Sequence, residues 1–152
     1  MAVEKKRKII PPVYLFAALL LMWLTHRYIP IFQYVYEPVA YLGIIAVLFG
    51  ITMAGISAGM FKRAGTGLEP FAEATVLVTS GFYRVSRNPM YMGMFLMLLG
   101  VAFLMGSIGA LLPILIFILI IRNNFVLGEE RFMQATFGQQ YLQYKTEVRR
   151  WI

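Results

Sequence analysis

Residues 88–121 read NPMYMGMFLMLLGVAFLMGSIGALLPILIFILII, 34 residues without a charge, bounded by Arg87 on one side and Arg122 on the other. As a single α-helix this stretch would be about 51 Å long, far more than a hydrocarbon core of about 30 Å. Gly106-Ser107-Ile108-Gly109 lies near its middle, so the reading is two short helices joined by a tight turn. Outward from this hairpin, Pro38 to Phe61 is charge-free and stops at Lys62-Arg63. Ile9 to Thr25 is a third such stretch, led by Pro11-Pro12, which suit a helix start, and ending near His26 and Arg27. The expected architecture is all-α and integral to the membrane. It has four transmembrane helices (about 9–26, 38–61, 89–105 and 109–124) with a re-entering helical hairpin, in one domain covering 1–152.

Composition agrees. The 152 residues are 60% hydrophobic with a mean hydropathy of +0.71, and only 14% are charged, against roughly 25% in soluble domains. There is no cysteine, no aspartate and one histidine. That excludes disulfides, thiolate nucleophiles, a Ser-His-Asp triad and a Cys- or His-rich metal centre, and no metal site is expected. Alternating the four spans places thirteen of the fourteen basic residues on one side. They are Lys5, Lys6, Arg7, Lys8, Lys62, Arg63, Arg84, Arg87, Arg122, Arg131, Lys145, Arg149 and Arg150, with Arg27 alone opposite. By the positive-inside rule both termini are cytoplasmic. The formal charge of +7 is therefore topological, with anionic lipid headgroups as its partner and no need for nucleic acid. No small-residue cleavage site follows the first apolar run, so a cleavable signal peptide is not expected.

Within the spans, Gly55-Ile56-Ser57-Ala58-Gly59 and the small residues Gly43, Ala46, Gly50 and Ala54 read as surfaces for close helix packing. Trp23, Tyr28, Tyr34, Tyr36 and Tyr41 read as interfacial belts. His26, with no carboxylate in sequence reach, reads as an end-of-span residue rather than a ligand.

Two cytoplasmic segments carry more texture than connectors need. The first, 62–91, holds Arg63-Ala64-Gly65-Thr66, Glu69-Pro70-Phe71, Leu77 to Arg84, and Arg87-Asn88-Pro89-Met90-Tyr91-Met92-Gly93. Loops of this length in compact proteins are functional or disordered, and its aromatics argue for the former. The second, 123–152, opens with Glu129-Glu130. Its apolar residues Met133, Phe137, Tyr141, Tyr144, Val148 and Trp151 recur at helical spacing, so it reads as a C-terminal interfacial amphipathic helix, interrupted at Gly138. Together the segments bring arginines suited to a carboxylate or phosphate, glutamates suited to an ammonium or ribose, and tyrosine faces suited to an adenine or a sulfonium. On residues alone, a cofactor site and ordinary helix-end chemistry both remain open.

Leu77-Val78-Thr79-Ser80-Gly81-x-Tyr83-Arg84-x-x-Arg87-Asn88-Pro89-x-Tyr91-x-Gly93, followed by Glu129-Glu130 and Phe137-Gly138-x-x-Tyr141-x-x-Tyr144, resembles the isoprenylcysteine carboxyl methyltransferase family, whose relatives include the phospholipid methyltransferases. The resemblance covers roughly residues 62–152. It implies a membrane enzyme that uses S-adenosyl-L-methionine, with Leu77, Val78, Tyr83, Arg87, Asn88, Pro89, Tyr91, Glu129 and Glu130 around the cofactor. The implied partners are membrane lipids and a lipophilic or lipid-like acceptor bearing a carboxylate, amine or thiol. The implied location is a prokaryotic inner membrane. Two positions depart from the family pattern. Asn88 stands where eukaryotic members have histidine, and it cannot titrate. Phe125 stands where they carry an arginine associated with the substrate carboxylate. Arg122, on the same helix face if the helix continues, is the candidate substrate-binding residue, and an end-of-helix snorkelling arginine is the alternative. The rival functions are an NADPH-dependent reductase like the membrane sterol reductases, a small four-span transporter, and a non-catalytic membrane scaffold. A proton-coupled transporter needs an intramembrane carboxylate, and no predicted span holds one.

Overall fold

The computed structural model describes residues 10–29, 37–65 and 74–152. The basic cluster Lys5 to Lys8, the tyrosines Tyr34 and Tyr36, Thr66 and Glu69-Pro70-Phe71 lie outside the described residues. Among the described residues all regular elements are helical: α1 Pro11–Tyr28, α2 Glu37–Arg63, α3 Pro89–Met105, α4 Leu111–Ile121, α5 Leu127–Phe137 and α6 Gln139–Glu147. Short 3₁₀ turns stand at Gly81–Arg84 and Ile108–Ala110, and a wide π turn spans Arg122–Val126.

The hairpin turn falls where the glycines sit. α3 ends at Met105 because Gly106 takes a left-handed conformation (φ +58°), and its N–H closes back on the carbonyls of Ala102 and Phe103. After Ala110 the chain turns helical again and stays so through the π turn, giving one continuous run from Ile108 to Phe137. At 30 residues this run is about 45 Å long. The fourth apolar helix therefore does not stop near residue 124, but carries its polar end, α5, beyond the apolar part. Ala40–Arg63 and Ile108–Phe137 are long and apolar enough to cross a membrane, and Pro89–Met105 is a shorter apolar helix.

α2 packs along α3 with almost no space between the backbones. A Cβ added at Gly50 would stand 2.5 Å from the Gly93 carbonyl oxygen, and one at Gly100 would stand 2.5 Å from that of Gly43. Gly43 and Gly50 are thus used as expected, with Gly93 and Gly100 as their partners on α3. The Gly55–Gly59 step is a correction: a Cβ at either position meets nothing within 4 Å. Those two glycines face away from the α2–α3 seam.

α1 packs against α4 and the turn before it. Leu15, Ala18 and Met22 of α1 join Leu98 and Ala102 of α3, Ile114, Phe117 and Ile121 of α4, and Phe125 of the π turn in one buried core. The outward faces stay apolar. Leu42, Ile45, Leu48, Phe49 and Ile51 of α2 are all exposed, an arrangement suited to lipid rather than water. Trp23, Tyr28 and Tyr41 are exposed at helix ends, and Trp23 meets Tyr28 edge-on at 6.5 Å. His26 lies in the last turn of α1, its Nδ1 buried with no hydrogen-bond partner.

The C-terminal segment is two helices rather than one. Gly138 (φ +52°) separates α5 from α6. The apolar stripe does not lie open for lipid along its length: Tyr141, Tyr144 and Val148 are buried and pack with Leu77, Met133 and Phe137 into a second small core. This folds α6 back over the segment that precedes α3.

Candidate active site

α3 begins with Pro89 in its first turn, where a missing N–H costs nothing. Asn88, at the capping position, makes no side-chain cap. Its Nδ2 instead donates to the carbonyl of Arg150 at 3.0 Å. Ser86 Oγ donates to the same carbonyl at 3.2 Å and accepts from the Asn88 N–H at 3.1 Å. The Arg87 N–H donates to the Arg149 carbonyl at 3.0 Å. The last residues of the chain are therefore tied across the start of α3 by three consecutive residues of the Ser86-Arg87-Asn88 step.

Glu129 and Glu130 are neighbours in α5, so they point about 100° apart around the helix and acquire different partners. Tyr91 donates its hydroxyl to Glu129 Oε1 at 2.7 Å, which joins the first turn of α3 to α5. Glu130 is almost enclosed. Arg150 grips it with Nε on Oε1 at 2.9 Å and Nη2 on Oε2 at 2.8 Å, and Arg87 Nη2 stands 3.2 Å from Oε1. Burial works against the Glu130 charge, but the hydrogen bonds of Arg150 and the positive charges of Arg87, Arg150 and Lys145 outweigh it. They hold the carboxyl below the usual glutamate value. The same pairing raises Arg150 above its ordinary value. Burial, then the Glu130 charge, pushes the Tyr141 hydroxyl up to about 12.

Tyr83 and Tyr144 form the next layer. Tyr144 donates to the Tyr83 carbonyl at 2.6 Å, and the Tyr83 ring lies 5.3 Å from that of Phe61. Burial raises both hydroxyls above their ordinary range, so both are neutral; Tyr144 acts through its hydrogen bond, whereas the Tyr83 hydroxyl is buried without one. Leu77 packs against Tyr144 in the second small core, and Val78 is buried beside Met60 and Arg63 at the end of α2. With Thr79 and Ser80, Leu77 walls an open groove of about 710 Å³ whose opposite wall is Gln140, Gln143 and Glu147 of α6.

Toward the membrane, the cluster opens onto a cavity of about 200 Å³ between α3 and α4, lined by Tyr91, Met92, Phe95, Phe117, Ile118, Ile121, Trp151 and Ile152. Its wall is almost wholly apolar. Tyr91 touches both worlds: its ring lines the cavity while its hydroxyl holds Glu129.

Of the residues singled out from sequence, Arg87, Asn88, Pro89, Tyr91, Glu129 and Glu130 come together beside the segment that follows α6. Leu77 and Tyr83 meet Tyr144 in the adjoining layer, and Val78 is buried next to Leu77 in sequence, toward the end of α2. Arg122 stands apart: it is exposed and bonds Asn123 Oδ1 at 3.2 Å. The helix does continue past it, but as a π turn in which the Leu127 N–H reaches back five residues to the Arg122 carbonyl. The wide turn takes Arg122 out of phase with the glutamates, while Phe125 is buried against Tyr14 and Tyr91. Sequence reasoning missed Arg150 and Trp151, which it treated as topological charge and as part of an apolar stripe. The available signal was the close of the chain, Val148-Arg149-Arg150-Trp151-Ile152, where an aromatic follows a basic pair just past a helix. Among the described residues no group of three or more histidine, aspartate or glutamate side chains could hold a metal ion.

Comparison with known proteins bears on the same residues. The family model for phospholipid methyltransferase matches residues 38–140. The chain belongs to the phospholipid methyltransferase family. It is 38% identical over 63 residues to an uncharacterized protein of Haemophilus influenzae, a match covering 41% of this chain and all of that protein. It is 34% identical over 76 residues to a protein-S-isoprenylcysteine O-methyltransferase of Schizosaccharomyces pombe, covering 48% of this chain and 31% of the yeast protein. Its fold resembles that of the eukaryotic intramembrane Ras methyltransferase, isoprenylcysteine carboxyl methyltransferase. There the TM-score is 0.61 at 19% identity, over 90% of this chain and 50% of the other. The chain thus spans half of that structure and about a third of the yeast enzyme. The family membership expected from the two ordered motifs is confirmed, and the helical fold expected from the apolar stretches is similar to that of an intramembrane methyltransferase.

Proposed function

We propose that this family member transfers a methyl group from S-adenosyl-L-methionine to a lipophilic or lipid-like acceptor at the cytoplasmic face of the membrane. It would do so as a four-span protein with both termini cytoplasmic, in a prokaryotic inner membrane. The observation that carries the reading is one juxtaposition. The polar cluster of Arg87, Asn88, Tyr91, Glu129 and Glu130 sits at the mouth of an apolar cavity between two apolar helices.

The residues present fit a zwitterionic nucleotide-like cofactor. Buried Arg87 nitrogens without partners await an anion, Glu129 adds a carboxylate, and the Leu77–Ser80 segment offers backbone beside an open groove. Leu77, Val78 and Tyr83 would hold the adenine side, and Arg87, Asn88, Pro89 and Tyr91 the amino-acid end. The glutamate pair would serve the ammonium or ribose. When bound, S-adenosylmethionine supplies a methyl group already activated on a sulfonium.

What remains for the chain is positioning and exclusion of water. Phe117, Ile121 and Trp151 keep the cavity dry, and the Tyr91–Glu129 hydrogen bond fixes a carboxylate beside its rim. Arg122, exposed where the apolar part of the long helix ends, is placed to meet the anionic headgroup of an acceptor arriving from the bilayer.

The test is a transfer assay. The protein in lipid nanodiscs is incubated with S-adenosylmethionine labelled in its methyl group and a bacterial total lipid extract, and label in the organic phase is counted. The expected result is protein-dependent label that falls sharply in Glu130→Gln. Folded protein that leaves all label in the aqueous phase across lipid classes refutes the reading.

A further inference from the structure

The apolar cavity between α3 and α4 is closed on one side by a segment that belongs to neither helix. Met92 and Phe95 of α3 and Phe117 and Ile121 of α4 form its flanks, and Trp151 with Ile152 supplies a further wall. Trp151 also packs against the main core. The residues just before it are tied down. The Arg149 carbonyl accepts the Arg87 N–H at 3.0 Å, and the Arg150 carbonyl accepts from Asn88 Nδ2 at 3.0 Å and from Ser86 Oγ at 3.2 Å. The Arg150 guanidinium in turn grips Glu130 at 2.9 and 2.8 Å. The indole is therefore a fixed wall, held by the polar cluster itself, rather than a loose cover.

Volume then decides what fits. A dry cavity of roughly 150 Å³ accommodates benzene, so at the same packing the cavity of about 200 Å³ holds about eight carbon atoms. The chain of a membrane lipid must cover half of a hydrocarbon core of about 30 Å and is far too long for it. Close-packed walls do not stretch to take the excess, because overfilling displaces side chains and backbone. The almost wholly apolar lining also gives a polar group nothing to bond. Tyr91 marks where that changes: its ring lines the cavity and its hydroxyl holds Glu129 at 2.7 Å. A molecule with a compact apolar body and one reactive polar group at the Tyr91 rim matches both halves.

We propose that the acceptor is a compact amphiphile whose apolar part, branched or ring-shaped and of about eight carbons, fills this cavity, and that Trp151 is the residue that sets the size limit. This inference rests on the methyltransferase reading and narrows it. Long lipid chains are excluded as the group in the cavity. Selectivity for size resides in the tied segment after α6, not in the apolar helices alone.

The experiment titrates the purified full chain, isotope-labelled at its methionine methyls, with p-xylene, which matches the cavity, and with anthracene, which exceeds it by about six carbons. The signal read is the Met92 methyl resonance, since Met92 is buried and lines the cavity. Both probes are rigid, so neither can leave a tail in the detergent. Wild type and variants are compared at one detergent concentration, and partitioning into micelles cancels in their ratio. Wild type is expected to bind p-xylene saturably and to exclude anthracene. Trp151→Ala removes an indole of about nine heavy atoms, a space that neighbours refill only in part. It should bind anthracene roughly ten- to a hundredfold more tightly than wild type does. Trp23→Ala, exposed on α1 and away from the cavity, should leave both affinities unchanged. Wild type that admits both probes alike or neither, or anthracene binding no tighter in Trp151→Ala, overturns the proposal. If Trp151→Ala does not fold, Trp151→Leu replaces it, with the same expected direction and the same refuting result. A second arm identifies by mass the labelled products of the transfer assay: label on compact molecules supports the size limit, and label confined to long-chain lipids overturns it. The titration needs no cofactor, so absence of any transfer would remove the methyltransferase reading by itself while the titration still decides the role of Trp151.

Discussion

Replacing Gly93 by alanine tests how the site is held. Gly93 lies one turn into α3, two residues after Tyr91, and its Cα presses on α2. An added Cβ would stand 2.6 Å from the Gly50 carbonyl oxygen, 2.8 Å from the Ala54 nitrogen and 2.9 Å from the Ala54 Cβ. Carbon–oxygen contacts between close helices settle at about 3.3 Å, so the backbones must part by roughly 0.7 Å. Two of the three obstacles are backbone atoms, which cannot swing aside as a flexible side chain would. Overpacking of this kind typically costs about 1–3 kcal/mol. Because Asn88 stands at the cap of α3 and Tyr91 in its first turn, the same shift also disturbs the Tyr91–Glu129 and Asn88–Arg150 bonds. Gly55→Ala is the matched control on α2, since nothing lies within 4 Å of its Cβ position. Thermal unfolding in detergent, followed by near-ultraviolet circular dichroism, should show Gly93→Ala clearly destabilised and Gly55→Ala within about 0.5 kcal/mol of wild type. Equal behaviour of the two variants would refute the packing argument.

Two further perturbations address the polar layer. Glu130 is held below its ordinary value in the folded protein, so its contribution to stability is complete above the unfolded glutamate value near 4.5 and is lost as pH falls through the lower folded value. Melting temperature in wild type should therefore decline below about pH 4.5, and Glu130→Gln should flatten that part of the profile; an identical profile in the variant would remove the Arg–Glu–Arg cluster as its source. Tyr144→Phe deletes the 2.6 Å bond to the Tyr83 carbonyl and should cost about 1–3 kcal/mol by leaving a buried acceptor unmade, with faster amide exchange concentrated in α6. Uniform exchange rates in the variant and wild type would show that α6 is held by other contacts.

The helical elements were legible because charge and glycine mark them. Arg87 and Arg122 bracket the hairpin, Gly106 turns it, and Gly138 breaks the C-terminal segment, each through a local property of one residue. Which glycines meet another helix was not legible. Gly43, Gly50, Gly55 and Gly59 are alike as residues, and only the rotation of α2 about its axis chooses the first two. The place of Arg122 was hidden for a related reason: the π turn at Arg122–Val126 has no glycine or proline to announce it, yet it changes which face every earlier residue occupies. The candidate site was half legible. Tyr91, Glu129 and Glu130 stand in ordered motifs, whereas Arg150 acquires its role from partners 20 and 62 residues away in sequence. Pairings over that distance follow from how α6 folds back, which no spacing in the sequence encodes.

Calorimetric titration of the detergent-purified protein with S-adenosylmethionine, and separately with NADPH, tests the assigned chemistry most directly. Saturable binding of S-adenosylmethionine, weakened in Tyr91→Ala and Glu130→Gln and accompanied by no binding of NADPH, is the predicted result. A demonstrably folded protein that is silent toward S-adenosylmethionine, or that binds NADPH in its place, would contradict it.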